Sequence, residues 1–341
     1  MATGLALVGA LWGAFAQAAA ACAFHSYTPD PTLVDILMGS DHVVVARPDP
    51  SRPGRYAPVA ALVGPSEAVD IPIPVDTETR ARLDRNPADS VLFARDGAYG
   101  PWVRLAVLDP GYRALVDTVV ARQTTWALGG DEDRFQLFAA RVNDPNPDIR
   151  HLALLELDRA DYGVLRGLRL PKVTGLQGDL EAGDPDLRPI RILLAGLSGD
   201  KRLAQVLSAG LDAAARRDVP YLGAYATALI ELGGPEAVGY VLDRHLAPAA
   251  LPIATREKII EALAIHGQTG PRATRREIRR GVAELLDRSP ELAGAVARQF
   301  GFRSDWSMSD PLRRAIAAAP PKAIEDIFAV NQYIGIAGRA N

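Results

Sequence analysis

The chain has 341 residues, of which 48% are hydrophobic and 23% are charged, and its formal net charge is −3. This length allows two domains with separate cores, and the small net charge argues against recruitment of nucleic acid or an anionic membrane by the overall field. A single cysteine excludes an intramolecular disulfide. Arginine supplies 34 of the 38 basic residues, and with the abundant alanine and proline this usage indicates a bacterium with a GC-rich genome.

The amino-terminal segment predicts export. Residues 1–29 contain no Asp, Glu, Lys or Arg, and the apolar run 5–16 is followed by the small residues QAAAACA. The run is typical of the hydrophobic core of a secretory signal and is shorter than the roughly twenty residues of a membrane-spanning helix. We therefore predict a signal peptide over residues 1–23 and a periplasmic or membrane-anchored location. Cleavage is expected after Ala18, Ala21 or Ala23.

Cys22 has three interpretations. The tetrapeptide AAAC (19–22) resembles the lipobox of bacterial lipoproteins, which implies that Cys22 is lipidated. Membrane attachment is then expected only through this lipid or through an uncleaved signal. Cleavage beyond Cys22, or a mature chain that begins with the unmodified cysteine, would instead leave a free periplasmic protein. The third interpretation is a metal site with His25, but zinc needs four ligands and the neighbouring sequence offers no others, so we predict no metal and no cofactor.

Residues 24–108 predict a small β-rich domain. A helix at 30–38 is expected to begin with Asp30 as its N-cap and Pro31 at its first position. Strand-like runs follow at 41–48, 55–64, 68–75, 89–95 and 101–109. The turns between them are spaced as in a small sandwich or barrel. The order of these elements resembles a netrin-like or OB-type barrel without the disulfides of extracellular netrin-like domains, so the resemblance implies a fold and no inhibitor activity.

Residues 109–330 predict an α-helical repeat domain, and residues 331–341 a loosely packed tail. Asp109 and Pro110 are expected to open the first helix. The segments ALLELD, LAGLSG, ALIELG and ALAIHG begin at 153, 194, 228 and 262, spacings that are typical of helical-hairpin repeats. Because each hairpin has one apolar face, neighbouring hairpins must stack to bury it. The predicted fold class is α+β, with a barrel- or sandwich-like β-domain followed by an α-solenoid.

The turn at 143–147 carries the clearest repeat signature. Asp144, Pro147, Ile149 and Arg150 stand in the order Asp-x-x-Pro-x-Val-Arg, with Ile in place of Val, which resembles the turn of a HEAT repeat. The resemblance implies that Arg150 bridges to an aspartate of its own or a neighbouring turn and is structural. The two-part layout also resembles a family of exported bacterial proteins to which no activity is attached.

One helix carries a basic stripe. The stripe consists of Arg272, Arg275, Arg276, Arg279 and Arg280. Thr274 and Glu277 are expected to form a capping box at the start of this helix, and its buried face is expected to comprise Ile278, Val282, Leu285 and Leu286. Such a stripe could bind a phosphate, a lipid headgroup or an acidic partner, or it could be a solvated helix face in an arginine-rich chain.

The sequence contains no catalytic motif for zinc proteases, α/β-hydrolases, phosphate-binding loops or dinucleotide binding. Ser198 and Lys201 match S-x-x-K, but the K-T-G element that accompanies it is absent. His266 precedes a glycine and is expected to be structural, at a helix end. We therefore predict a binding or scaffold protein whose solenoid surface takes protein partners in the cell envelope, without nucleic acid. Two alternatives are an enzyme with a site at the junction of the β-domain and the solenoid, and a cytosolic helical-repeat scaffold.

Overall fold

The computed structural model describes residues 30–340 apart from 66–68, 98, 177, 179, 181–183 and 220. The described residues form fifteen α-helices and one four-stranded antiparallel sheet near the N-terminus. The α+β class is confirmed at this level. The described chain divides into two compact units, Asp30–Leu157 and Asp158–Asn341. The first unit therefore includes three helices beyond the β-domain boundary predicted at residue 108.

The first unit contains the sheet and five helices. Its elements are α1 (Leu33–Gly39), β1 (His42–Pro48), β2 (Tyr56–Val63), α2 (Thr77–Arg85), β3 (Ser90–Arg95), β4 (Val103–Leu108), α3 (Pro110–Ala127), α4 (Asp131–Ala139) and α5 (Pro147–Asp158). The strand order is β2-β1-β3-β4, and every neighbouring pair is antiparallel. The described strands thus form a single open sheet with β2 and β4 at its edges, and not a closed barrel or two stacked sheets.

Both faces of the two central strands are buried. Residues Val43–Ala46 of β1 and Val91–Phe93 of β3 are all 0% exposed. One face packs on a core that includes Leu83 of α2 and the extended residues Ile71 and Val75. Helix α3 also contacts β2 and β4. Since helices and an extended segment cover the sheet, a second sheet is not needed to complete its core.

Four of the five predicted strands form β1–β4, and the run at 68–75 does not. Its described residues 69–75 pair with no strand. Pro72 and Pro74 have no backbone N–H to donate to a ladder. Helix α2 was not predicted, because only Thr79 and Leu83 of its nine residues are buried and no apolar periodicity marks it.

The sequence predicts the start of α3 correctly and the cap of α1 incorrectly. Asp109 caps α3 as predicted, with its Oδ1 accepting a hydrogen bond from the backbone N–H of Tyr112 at 2.7 Å. The predicted cap of α1 is wrong. Helix α1 begins at Leu33, and Thr32 forms a capping box with Asp35 in place of Asp30.

The second unit is helical in all its regular elements that the structure describes. Its α-helices are α6 (Tyr162–Gly167), α7 (Arg188–Leu197), α8 (Ala204–Arg217), α9 (Leu222–Gly233), α10 (Pro235–Val241), α11 (Ile253–Thr269), α12 (Arg272–Arg288), α13 (Ala293–Phe302), α14 (Ser309–Ala318) and α15 (Ile324–Ala340). A π-helical turn, Leu242–Leu246, continues α10.

These helices pack as two rows. In one row, each of α7, α9, α11, α13 and α15 contacts the next, and in the other α10, α12 and α14 do the same. A methyl group on Gly196 of α7 would lie 2.6 Å from the Cα atom of Ala228 in α9. The two backbones therefore approach each other at a position where only glycine fits.

The C-terminal residues 331–340 are part of α15 and do not form the loose tail that was predicted. Tyr333 is 2% exposed and Ala337 is 1% exposed. The segment is ordered because these side chains, spaced four residues apart, lie on the face of α15 that packs on the rest of the unit.

Candidate functional site

Of the residues singled out from the sequence, Cys22 and His25 lie outside the described residues, as does the predicted signal peptide. The others lie on described helices and turns. Among the residues that the structure describes, none of the helices combines the length and the apolar character needed to cross a membrane.

The basic stripe lies on α12, and its five arginines differ in their contacts. Arg280 donates to Glu277 at 2.5 Å and to Glu284 at 2.8 Å, so its charge is neutralised within its own helix. Arg279 lines a polar surface pocket together with Asp305 and Arg313. The side chains of the remaining three arginines, Arg272, Arg275 and Arg276, make no ion pair or hydrogen bond with described residues.

The start of α12 differs from the predicted capping box. The helix begins at Arg272 after Pro271, and Thr274 is 2% exposed inside the first turn and does not cap it. The predicted apolar face is confirmed, since Ile278, Val282, Leu285 and Leu286 are all 0% exposed.

The residues of the repeat turn stabilise their own turn. The Nη1 atom of Arg150 donates to the carbonyl oxygens of Asp144 at 2.6 Å and Pro145 at 3.0 Å. The Asp144 carboxylate accepts from Arg141 and from the backbone N–H of Asn146. Arg150 therefore binds the backbone of the turn, where the HEAT resemblance had implied an aspartate side chain, and Pro147 begins α5.

His266 belongs to a buried polar cluster inside the second unit. Helix α11 ends at Thr269, so His266 lies in its last turn as predicted, and it is 0% exposed. Its Nε2 atom lies 3.0 Å from the carbonyl oxygen of Thr227, and its Nδ1 atom lies 3.6 Å from Glu231. Burial lowers the pKa of His266 to about 4, although the nearby carboxylate of Glu231 acts in the opposite direction.

Two further side chains of this cluster donate hydrogen bonds to Glu231. Tyr162 donates its hydroxyl to Glu231 at 3.0 Å, and Arg166 donates Nε to the same carboxylate at 2.9 Å. Burial raises the pKa of Tyr162 well above its usual value. These contacts tie α6, α9 and α11 together.

A pocket lies between α11, α13 and α15 and has both apolar and polar lining residues. Its volume is about 450 Å³, which is within the range of about 300–1,000 Å³ that is usual for small-molecule sites. Its apolar wall consists of Ala297, Gly301, Phe302, Trp306, Ala329, Tyr333 and Ile336. Its polar lining consists of Glu261, Arg298, Gln299 and Gln332. We call it the α13–α15 pocket.

Two aromatic rings form the rigid part of this wall. The rings of Trp306 and Tyr333 meet edge to face, with centroids 5.0 Å apart. The Tyr333 hydroxyl accepts from the backbone N–H of Met308 at 3.0 Å and donates to the carbonyl oxygen of Asp305. A methyl group on Gly301 would lie 3.0 Å from the Tyr333 ring. The glycine thus allows α13 to approach the ring.

An ion-pair network lies along one side of the pocket. Arg298 of α13 donates Nε and Nη2 to Glu257 of α11 at 2.8 and 2.7 Å, and it also binds Asp326 of α15. The hydrogen bonds to Glu257 raise the pKa of Arg298. This arginine joins three helices, and its charge is compensated by two carboxylates.

A second arginine holds Glu261 in the pocket lining. Arg303 donates Nη2 to Oε1 of Glu261 at 2.9 Å and Nη1 to the carbonyl oxygen of Gln299 at the same distance. Glu261 has no other hydrogen-bond partner among the described residues, so its Oε2 atom is free. Burial raises the pKa of Glu261, and Arg303 only partly opposes that effect.

Sequence reasoning missed this pocket for two reasons. Residues 331–341 were predicted to form a loose tail, which left no helix to line the pocket. Its wall also comes from segments that are far apart in the sequence. One signal was present, because residues 327–338 contain no charged residue, which is unusual for a helix at a protein surface.

Comparison with protein-family models, curated proteins and solved structures finds no match for this chain. Within the described ranges, no three His, Cys, Asp or Glu side chains converge as metal ligands would.

Proposed function

We propose that this is an exported bacterial binding protein that holds a protein partner in the cell envelope. In this proposal the second unit is a HEAT-like solenoid of helical hairpins, and a helix face of that unit is the binding surface. No catalytic role is assigned to any residue.

The row packing of helices supports a solenoid. Three copies of the internal sequence repeat, at 194–199, 228–233 and 262–267, lie at or near the C-terminal ends of α7, α9 and α11, which are consecutive helices of one row. Similar positions of the repeat in successive helices support a helical-hairpin array.

The outer face of α15 is the single observation that carries the binding function. Ile324, Ile327 and Phe328, at spacings of three and four residues, are 83%, 40% and 64% exposed. They share one face of the helix, and Asn331 and Gly335 extend it without charge. Clustered exposed apolar residues of this kind mark interaction surfaces, and solenoids typically offer extended surfaces to proteins.

Export rests on the sequence of residues 1–23. The apolar run and the small-residue cleavage region remain a prediction of a secretory signal. A protein in the envelope would meet its partner there, either as a free periplasmic protein or tethered through Cys22.

The test is photocrosslinking in living cells. A photoreactive phenylalanine analogue at position 328 is expected to capture a distinct partner protein, whereas the same analogue at position 128 is not. Leu128 is a suitable control because it is also highly exposed, at 84%, and lies on the first unit.

The captured partner is then titrated against the purified protein. Ile327→Glu combined with Phe328→Glu is expected to weaken its binding at least about tenfold, because two apolar contacts are lost and charge is introduced into an apolar interface. Leu128→Glu should leave affinity unchanged. Absence of an adduct at 328, or equal affinity for all variants, would contradict the proposal. Adducts between two copies of this chain would replace it with self-association.

A further inference from the structure

The α13–α15 pocket is separate from the proposed protein-binding face. The exposed residues Ile324, Ile327 and Phe328 lie on one side of α15, whereas the pocket is lined by Gln332, Ile336 and their neighbours on another. Phe302 forms part of the wall and is 46% exposed, so the pocket is open to solvent at that side. We therefore expect the pocket to bind a ligand other than the protein partner.

The charges around the pocket are not balanced. Three carboxylates, Glu257, Glu261 and Asp326, face two guanidinium groups, Arg298 and Arg303. One net negative charge remains, and Glu261 is the carboxylate among the three that lines the pocket.

The charges beyond the aromatic wall do not alter this balance. On the far side of Trp306, the neighbouring polar pocket contains Arg279 and Arg313 together with Asp305 and Asp310. These four side chains cancel in charge. The Oδ2 atom of Asp305 is buried without a hydrogen-bond partner, and Arg279 forms no ion pair with a described residue, so this side of the pocket carries one charge of each sign outside an ion pair.

An anionic ligand does not fit the pocket. Among the described residues, Arg298 is the only cation that lines it, and its guanidinium already binds Glu257 and Asp326. An anion would have to displace one of these carboxylates and would also lie close to Glu261. A neutral apolar ligand would contact the apolar wall but would donate no hydrogen bond to Glu261.

We propose that the α13–α15 pocket binds a small organic cation with an aromatic or apolar body, whose ammonium group donates to Glu261. The body would lie against Trp306 and Tyr333, whose ring faces favour both apolar contact and a nearby positive charge. The cation would supply the missing positive charge, and the hydrogen bond to a carboxylate is of the stronger, charge-assisted kind. The exposed amide of Gln332 lies at the same pocket and can accept a further hydrogen bond from the ligand.

Three probes of matched shape test the charge preference. Tryptamine, tryptophol and indole-3-acetate share an indole ring and carry a cationic, a neutral and an anionic side chain, respectively. Calorimetric titration of the purified full-length protein at neutral pH is expected to give the tightest binding for tryptamine. Tryptophol should bind at least about tenfold more weakly than tryptamine, since it lacks the charged hydrogen bond.

Two variants locate the binding. Glu261→Gln keeps the size of the side chain and is expected to weaken tryptamine binding about tenfold while leaving tryptophol unchanged. Ala329→Phe places a ring in the pocket and is expected to abolish the binding of every probe. Thermal unfolding of both variants establishes that they are folded, and Glu284→Gln, a substitution on α12 outside the pocket, serves as the charge-matched control.

Each outcome bears on the proposal. Tight tryptamine binding that is lost in both pocket variants and kept in the control supports it. Stronger binding of indole-3-acetate, equal binding of the three probes, or no binding of any probe would overturn it. None of these results depends on whether the outer face of α15 captures a protein.

Discussion

His266 and Glu231 show how burial sets the chemistry of single residues in this protein. The imidazole is held neutral because the interior disfavours its charged form, and Nε2 is placed to donate to the carbonyl oxygen of Thr227. Arg166 and the Tyr162 hydroxyl both donate to the Glu231 carboxylate. The cluster is therefore sensitive to acid through the histidine.

The first prediction concerns the pH dependence of stability. The pKa of His266 is about 4 in the folded protein and about 6.5 in an unfolded chain. Above pH 6.5 the histidine is neutral in both states, and its contribution to stability is fully present. As the pH falls from 6.5 towards 4, the unfolded chain binds a proton that the folded protein does not, so stability falls by roughly 3 kcal/mol.

Urea unfolding of the wild type and His266→Gln between pH 7 and pH 4 measures this effect. The variant is expected to lose less stability over that interval, because glutamine does not titrate but can still donate to Thr227. His151→Gln is the control, since His151 is exposed. Parallel pH profiles for the wild type and His266→Gln would show that another group is responsible.

At the scale of elements, Arg134 connects three helices of the first unit. From α4 it donates Nε to Glu156 of α5 at 2.7 Å and Nη2 to Asp35 of α1 at 2.8 Å. The Glu156 side chain is 0% exposed. Burial raises its pKa, and the hydrogen bond from Arg134 opposes that effect. The arrangement is stable only while both partners are present.

The second prediction is that Arg134→Met costs about 3–5 kcal/mol of unfolding free energy, because it leaves the Glu156 carboxylate buried without a cation. Adding Glu156→Met is expected to recover part of that loss. Chemical unfolding of the single and double variants measures the coupling. Arg122→Met is the control, since Arg122 and Asp133 are 45% and 53% exposed, and such surface pairs contribute about 1 kcal/mol or less. Strictly additive losses in the double variant would refute the coupling.

The elements that sequence predicted correctly are those whose signals lie within a few residues. Asp109 and Pro110 correctly predicted the start of α3, and the apolar periodicity of α12 correctly predicted its buried face. Thr274 failed as a cap because Pro271 had already begun the helix one turn earlier. The α13–α15 pocket was not predictable in this way, since Glu261, Trp306 and Ile336 come together only through the packing of separate helices.

On the scale of the whole molecule, the first 29 residues contribute a prediction about location. The apolar run at 5–16 and the small residues after it favour a chain that is shortened in the cell. The described residues begin at Asp30, so cleavage at any of these sites would leave every described element in the chain.

The third prediction is that the protein recovered from fractionated native cells lacks residues 1–18, 1–21 or 1–23. Intact mass spectrometry of each fraction measures this directly. A chain that begins at Cys22 with added acyl mass would identify a lipoprotein, and a shortened chain without added mass would identify a free periplasmic protein. Full-length chain in the cytosol would contradict export and favour a cytosolic scaffold.

The contact between Gly196 and the backbone of Ala228 determines how closely α7 and α9 pack. Because α7 and α9 touch where a side chain would not fit, the spacing of these two layers depends on the absence of a single methyl group. A bulkier residue at position 196 would push α9 away from α7, and the helices that follow α9 in the same row would be displaced with it.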